Sequence, residues 1–202
     1  YKATKRIVDI ARKNKKNIHI LHVSTGQEIE FLSKNKDVAS VEITPQHLTL
    51  NAPDCYDNLG SYAQMNPPIR DLNHQKKLWE GINNGTADII GSDHAPHTVE
   101  EKSADYPNSP SGMPGVQTLV PIMLNHVNNG KLTLERFVEL TSYNPSELFK
   151  IKEKVIDTVG AGDCFVGALG FSLSENPDMF SAVKFANCAA SLSVTKKGAA
   201  KS

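Results

Sequence analysis

Three short apolar runs, separated by stretches of helical spacing, constrain this chain more than any other feature. Residues 18–23, 38–44 and 87–92 read as buried strands. Helical patterns occupy 28–32 and 72–84, with Gly85 just past the second as a stop signal. Ile7, Val8, Ile10 and Ala11 recur at helical spacing ahead of the first strand. Strand and helix therefore alternate through 1–92, which implies β/α units around a parallel sheet. Pro-rich stretches at 51–73 and 93–115 read as long loops of the kind that carry function. Two helices follow at 116–127 and 132–142, and Asn144-Pro145 restarts a short one.

The early cluster Lys2, Lys5, Arg6, Arg12, Lys13, Lys15 and Lys16 reads as the solvated face of a surface helix rather than a nucleic-acid patch. The 22 basic and 22 acidic residues cancel, so no polyanionic partner is expected. Cys55, Cys164 and Cys188 show neither metal-ligand spacing nor a disulfide framework. With no signal peptide and no long apolar run, the expectation is a cytoplasmic protein without a membrane segment. The chain opens on Tyr1 in mid-helix and is expected to lack its front part.

Two constellations carry chemistry. His22 ends the first strand and Asp93 the third. In a β/α barrel the carboxyl ends of the strands form the active-site face, so both side chains would share one pocket. An imidazole and a carboxylate there suit a metal or a metal-bound water. A hydrogen-bonded core histidine and a loop-capping aspartate suit the same positions. His94 and His97 lie in the loop directly after Asp93.

The strings His22-Val-Ser-Thr25, Thr44-Pro-Gln-His-Leu48, Met65-Asn-Pro-Pro-Ile-Arg70, Ser92-Asp-His-Ala-Pro-His97 and Gly112-Met-Pro-Gly115 resemble, in order and spacing, those of the dihydroorotases. Those are zinc-dependent cyclic amidohydrolases of pyrimidine synthesis, and the likeness covers about 1–151. It implies the sixth to eighth strands of a TIM-like barrel, with His22 and Asp93 as zinc ligands and Asp93 also as general base. Asn66 and His97 would contact the ring and carboxylate of a small-molecule substrate, and Gly112 and Gly115 would belong to a closing loop. His47 matches a motif histidine that is not a ligand in the family. The family's first-, fourth- and fifth-strand ligands have no counterpart, so the ligand set is expected to be incomplete and the chain inactive alone. Uncovered sheet edges would offer a route to self-association.

The second constellation is Asp157-Thr-Val-Gly-Ala-Gly-Asp163, ahead of an expected helix at 160–173. Small residues let backbone N–H groups converge on an anion at a helix start, and Asp163 could accept a proton from a hydroxyl. Taken alone, the short motif is better explained by a tight strand-to-helix turn with a capping aspartate. The longer pattern, through Cys164-Phe-Val-Gly-Ala-Leu169, Asn187-Cys-Ala-Ala190 and Ser193-Val-Thr-Lys-Lys-Gly198, resembles the C-terminal part of ribokinase-like (PfkB-type) sugar kinases. The likeness implies Asp163 as catalytic base and Gly160, Ala161 and Gly162 as an anion hole for a phosphoryl group. Asn187 would lie beside the adenine of ATP, with Mg, and Asp157 near a monovalent cation. A strand stub at 155–156 and two helices, the second at 179–192, would represent that α/β fold.

The expected architecture is thus a partial hydrolase barrel over 1–151 and a partial kinase segment over 152–202. Three functional expectations follow: a dihydroorotase-like hydrolase, a sugar phosphotransferase fragment, and a non-catalytic chimera of the two.

Overall fold

The three apolar runs become parallel strands of one sheet in the order β1 (Ile18–Ile20), β2 (Ala39–Ile43), β3 (Ile89–Ile90). The structure is a computed structural model that describes residues 1–151, 158–175 and 177–195. Ile18 pairs with Ala39 and Ile20 with Val41, while Glu42 pairs with Ile89 and Ile43 with Ile90. Helix α1 (Lys2–Lys13) precedes β1, and α2 (Gly26–Leu32) joins β1 to β2. Between β2 and β3 run α3 (Pro45–Thr49), α4 (Asp54–Leu59) and α5 (Leu72–Asn83). After β3 come α6 (Val99–Lys102), α7 (Leu119–Asn128), α8 (Leu134–Val138) and α9 (Asn144–Leu148).

Period-two alternation sets the two faces of β2. Ala39, Val41 and Ile43 are buried, while Ser40 and Glu42 on the other face are half-buried. The buried face packs with Val8, Leu32, Leu78, Ile82, Met123 and Leu140 into the main core. Arg136 ties the later helices to this layer, donating from Nε to the Ile82 carbonyl at 2.8 Å and from Nη2 to the Ala87 carbonyl at 2.6 Å. On α1, Thr4, Val8 and Ala11 are buried and the charged residues face outward, as expected of a solvated helix face; Ile7 and Ile10 are exposed.

Several elements differ from their expected extents. The first and third strands are shorter because the backbone turns into the left-handed region just beyond each, at His22 (φ 39°) and Asp93 (φ 43°). Pro45 ends β2 and also opens α3, with Thr44 as the capping residue. The two stretches expected as loops contain helices. In 51–73 lie α4 and a 3₁₀ turn at Gly60–Ala63; in 93–115 lies α6, closed by a capping box between Thr98 and Glu101. The helix expected over 132–142 divides into α8 and a π-helical turn at Glu139–Tyr143.

The chain divides into two compact units, Tyr1–Lys150 and Ile151–Ser202. Described residues of the second form α10 (Ala161–Glu175) and α11 (Met179–Ser193). Ala182 and Ala186 of α11 are fully buried, and the rings of Phe171 and Phe185 lie 6.3 Å apart. The expected strand stub at 155–156 and Asp157 lie outside the described residues.

Candidate functional site

The carboxyl ends of all three strands open on one side of the sheet, and each delivers one titratable group. The β1 end carries His22, the β2 end carries His47 through the cap of α3, and the β3 end carries Asp93. The charges of His22, Asp93 and Arg70 all act on His47, so the four groups share one neighbourhood.

His47 is buried, and both of its ring nitrogens are occupied. Nδ1 lies 2.7 Å from Thr44 Oγ1 and Nε2 lies 3.0 Å from the Pro67 carbonyl. A carbonyl only accepts, so Nε2 bears the proton and Thr44 donates to Nδ1. Burial pushes the His47 pKa below the ordinary imidazole value, which favours this neutral form. With neither ring nitrogen free, His47 is a tether between β2 and the segment after Asn66 rather than a ligand.

His22 is held from behind. Its backbone N–H donates to Glu42 Oε1 at 3.3 Å, and the other Glu42 oxygen lies 3.7 Å from His19 Nε2. Gly91 makes room for this arrangement, since a Cβ there would overlap the Glu42 carboxylate. His22, Thr25, Glu28, Asn66 and Arg70 line a cavity of about 570 Å³. Glu28 bonds Thr4 and Thr25 and pairs with the Tyr1 ammonium. Burial raises its pKa, but these partners outweigh it and hold the carboxyl below its usual range. Asn66 also lines a second cavity of about 640 Å³, with Tyr56, Gln64, Asp105, Tyr106 and Ser111.

The loop after Asp93 is folded on itself by two glycines. Gly112 has φ 128°, a conformation that favours glycine, and a Cβ there would overlap the Ala95 side chain. A Cβ on Gly115 would overlap the Ser92 carbonyl, next to Asp93. The Gly115 N–H donates to His94 Nδ1 at 3.0 Å, and His97 donates from Nε2 to the Ser111 carbonyl at 3.2 Å. Lys102 is buried beneath this loop and donates to the Gln64 and Pro110 carbonyls; burial lowers its pKa.

Among the expected site residues, then, His22 and Asn66 share a cavity, and Asp93 lies with them around His47. His97, Gly112 and Gly115 shape the adjoining loop. Sequence reasoning set His47 aside as a non-ligand, and its tethering role was not foreseen; Arg70, quoted only within its motif, lines the His22 cavity. The Thr-x-x-His spacing of a capped helix start directly after a strand is a readable signal for the first; the place of Arg70 on the cavity wall has none.

In the second unit Gly160 has φ 84°, and Asp163 is exposed in the first turn of α10. The Ala161 N–H donates to the Thr158 carbonyl and the Cys164 N–H to the Gly160 carbonyl. Nothing lies within 4 Å of a Cβ placed on Gly162. Asn187 is exposed on α11.

As to metal, the described residues contain no group of three or more His, Cys, Asp or Glu side chains placed to hold an ion. His22 and Asp93 are suitable donors in kind, but two are fewer than the three or four protein ligands that zinc takes. Among the described residues no helix is long and apolar enough to cross a membrane.

Comparison with known proteins divides the chain in the same sense as its motifs. The dihydroorotase of Methanosphaera stadtmanae is 42% identical over 154 residues, which cover 75% of this chain and 35% of that protein. The dihydroorotase of Pyrococcus abyssi is 42% identical over 153 residues, 75% of this chain and 36% of its own length. The chain thus spans about a third of the curated relatives it matches. Among solved structures, the L-hydantoinase (dihydropyrimidinase) from Arthrobacter aurescens superposes with a TM-score of 0.71 at 33% identity, covering 75% of this chain and 35% of that one. The family model for pfkB family carbohydrate kinases matches residues 141–202. A dihydroorotase-like part is joined to a pfkB-like part.

Proposed function

We propose that the first unit carries part of a cyclic-amide hydrolase site of the dihydroorotase kind, built on a segment of a TIM-like barrel. The observation that carries this reading is the meeting of His22, His47 and Asp93 at the carboxyl ends of three adjacent parallel strands, with Asn66 lining the same cavity as His22. In this reading His22 and Asp93 face the reacting centre, while the Asn66 amide binds the ring and His47 keeps its segment in place. Zinc would supply a polarised water in such a site. The two donors among the described residues do not make a set that holds it. Turnover of dihydroorotate by this chain alone is expected to stay at background.

The test is ligand binding. Titration with dihydroorotate and hydantoin, followed by NMR, is expected to give saturable shifts at His22 and Asn66 that Asn66→Ala and His22→Ala weaken. Shifts that do not saturate, or binding unchanged in both variants, would sink the reading.

A second reading is favoured by the family match over 141–202. Here the second unit is a piece of a ribokinase-like, ATP-dependent sugar phosphotransferase, with Asp163 as base and Gly160–Gly162 near the phosphoryl group. The amides of Ala161 and Cys164 are already bonded within the turn, which leaves fewer to meet an anion. ATP-dependent phosphorylation of ribose, abolished by Asp163→Asn, would support it. Absence of both activities would instead favour a non-catalytic chimera.

A further inference from the structure

We propose that the cavity of about 640 Å³ between the segments 56–68 and 105–111 binds a small aromatic cation, an aryl ring bearing an ammonium or amidinium group. The site is separate from the strand-end cavity, and the inference goes beyond the cyclic-amide reading without resting on it.

The walls of this cavity come from another part of the fold. Tyr56 belongs to α4, and Gln64 directly follows the 3₁₀ turn. Asp105, Tyr106 and Ser111 lie in the stretch after α6. The floor is Met65, a buried member of a second apolar cluster against which Tyr56 packs. That cluster, Cys55, Ala63, Met65 and Ile69, shares no residue with the main core under the strands. His22 and Asp93 do not line the cavity, and Asn66 is the one residue that lines both cavities.

The lining chemistry is one-sided. Gln64 Oε1 is fully buried and has no hydrogen-bond partner among the described residues. The amide is fixed in that sense, because its Nε2 donates to the Ser109 carbonyl at 3.0 Å and so leaves the oxygen as the open acceptor. The Asp105 carboxylate makes no ion pair or side-chain hydrogen bond among the described residues. No lysine, arginine or histidine among the described residues lines the cavity. The neighbouring cation, Lys102, spends its ammonium on the Gln64 and Pro110 carbonyls instead. Tyr106, 80% exposed, offers an aromatic face beside the carboxylate, a pairing that suits a cation over a ring. Apolar walls with an open buried acceptor and an unpaired carboxylate match a flat ring that carries N–H donors and positive charge. An anion would meet Asp105 with like charge, and a hydrocarbon would leave Gln64 unmatched.

Benzamidine, benzyl alcohol and benzoate carry the same ring with positive, neutral and negative substituents, which makes them the discriminating probes. NMR titration of the full chain with benzamidine is expected to give saturable shifts at Tyr56, Met65 and Tyr106. Its affinity should exceed that of benzyl alcohol by about tenfold, with benzoate weaker still. Asp105→Asn and Tyr106→Ala, both at exposed positions, should each weaken benzamidine by about three- to tenfold, while Asp105→Glu keeps most of the affinity. Thermal unfolding should be the same in all three variants. Equal affinity for benzamidine and benzyl alcohol, shifts that map to His22 and Thr25 instead, or an affinity unchanged in Asp105→Asn would each overturn the proposal. Dihydroorotate titrated against Asp105→Asn is expected to behave as with the unaltered chain, so loss of this site and failure of the cyclic-amide reading give different results.

Discussion

The imidazole of His47 donates to the carbonyl of Pro67 across 3.0 Å, a contact between residues separated by 20 positions in the chain. One bond thus ties the end of the central strand to the segment that carries Asn66 and Arg70. Because Thr44 occupies the other ring nitrogen at 2.7 Å, the orientation of the ring is set from both sides. Replacement by Ala would leave the Pro67 carbonyl and the Thr44 hydroxyl without this partner and open a void. His47→Ala is expected to destabilise the first unit by about 2–4 kcal/mol, measured by urea unfolding. His47→Gln, which can still donate to Pro67, should recover part of the loss.

The same residue gives the stability a pH dependence. Burial depresses the folded-state pKa of His47 below 6.5, and His126, beside Trp79 and Thr49, is shifted the same way by burial and Lys131. Between the folded and unfolded values the unfolded chain binds more protons. Stability from these groups is therefore fully present above about pH 6.5 and is lost as pH falls through the folded values. Urea midpoints at pH 8 and pH 5.5 should differ, and the difference should shrink in His47→Gln. A midpoint that rises on acidification would contradict this.

Glycine substitutions should separate the two units' loops sharply. A Cβ at Gly115 meets the Ser92 backbone, which cannot move aside without shifting Asp93, whereas one at Gly162 meets nothing within 4 Å. Gly115→Ala is expected to cost about 1–3 kcal/mol and to shift the NMR signals of Ser92 and Asp93. Gly162→Ala should be neutral or slightly stabilising, since it places a better helix former in α10. Equal effects at the two sites would refute the distinction.

The order of strands and helices was legible because apolar runs and helical spacing report burial directly, and the strands proved parallel and adjacent as that order implies. His22 and Asp93 were legible as strand ends. What could not be read was that each turns the backbone left-handed and so cuts its strand short, a result of tertiary anchoring such as the Glu42 bond to the His22 amide. Helices α4 and α6 were hidden by prolines that mark loops on average. The Thr98-x-x-Glu101 box was nevertheless present in the sequence, and it closes α6 as its chemistry requires. Arg70 was invisible as a site residue because its place on the wall of the His22 cavity depends on where the other segments land.

Small residues decide how closely the two helices of the second unit approach. Ala182 and Ala186 are spaced one turn apart on α11 and are both fully buried, although the helices as a whole expose Phe180 at 81% and Val166 at 67%. The alanine edge is thus the fully buried part of the pair, beside the ring contact of Phe171 with Phe185. Enlarging that edge should force α10 and α11 apart. Ala186→Leu is expected to destabilise the pair by about 1–3 kcal/mol, read as faster amide hydrogen exchange in 161–175 and 179–193 with exchange in β2 unchanged. Val166→Ala, on an exposed position of α10, should leave exchange in both helices nearly as it was. If Val166→Ala loosened the pair as much as Ala186→Leu, the packing edge would lie on the large side chains instead.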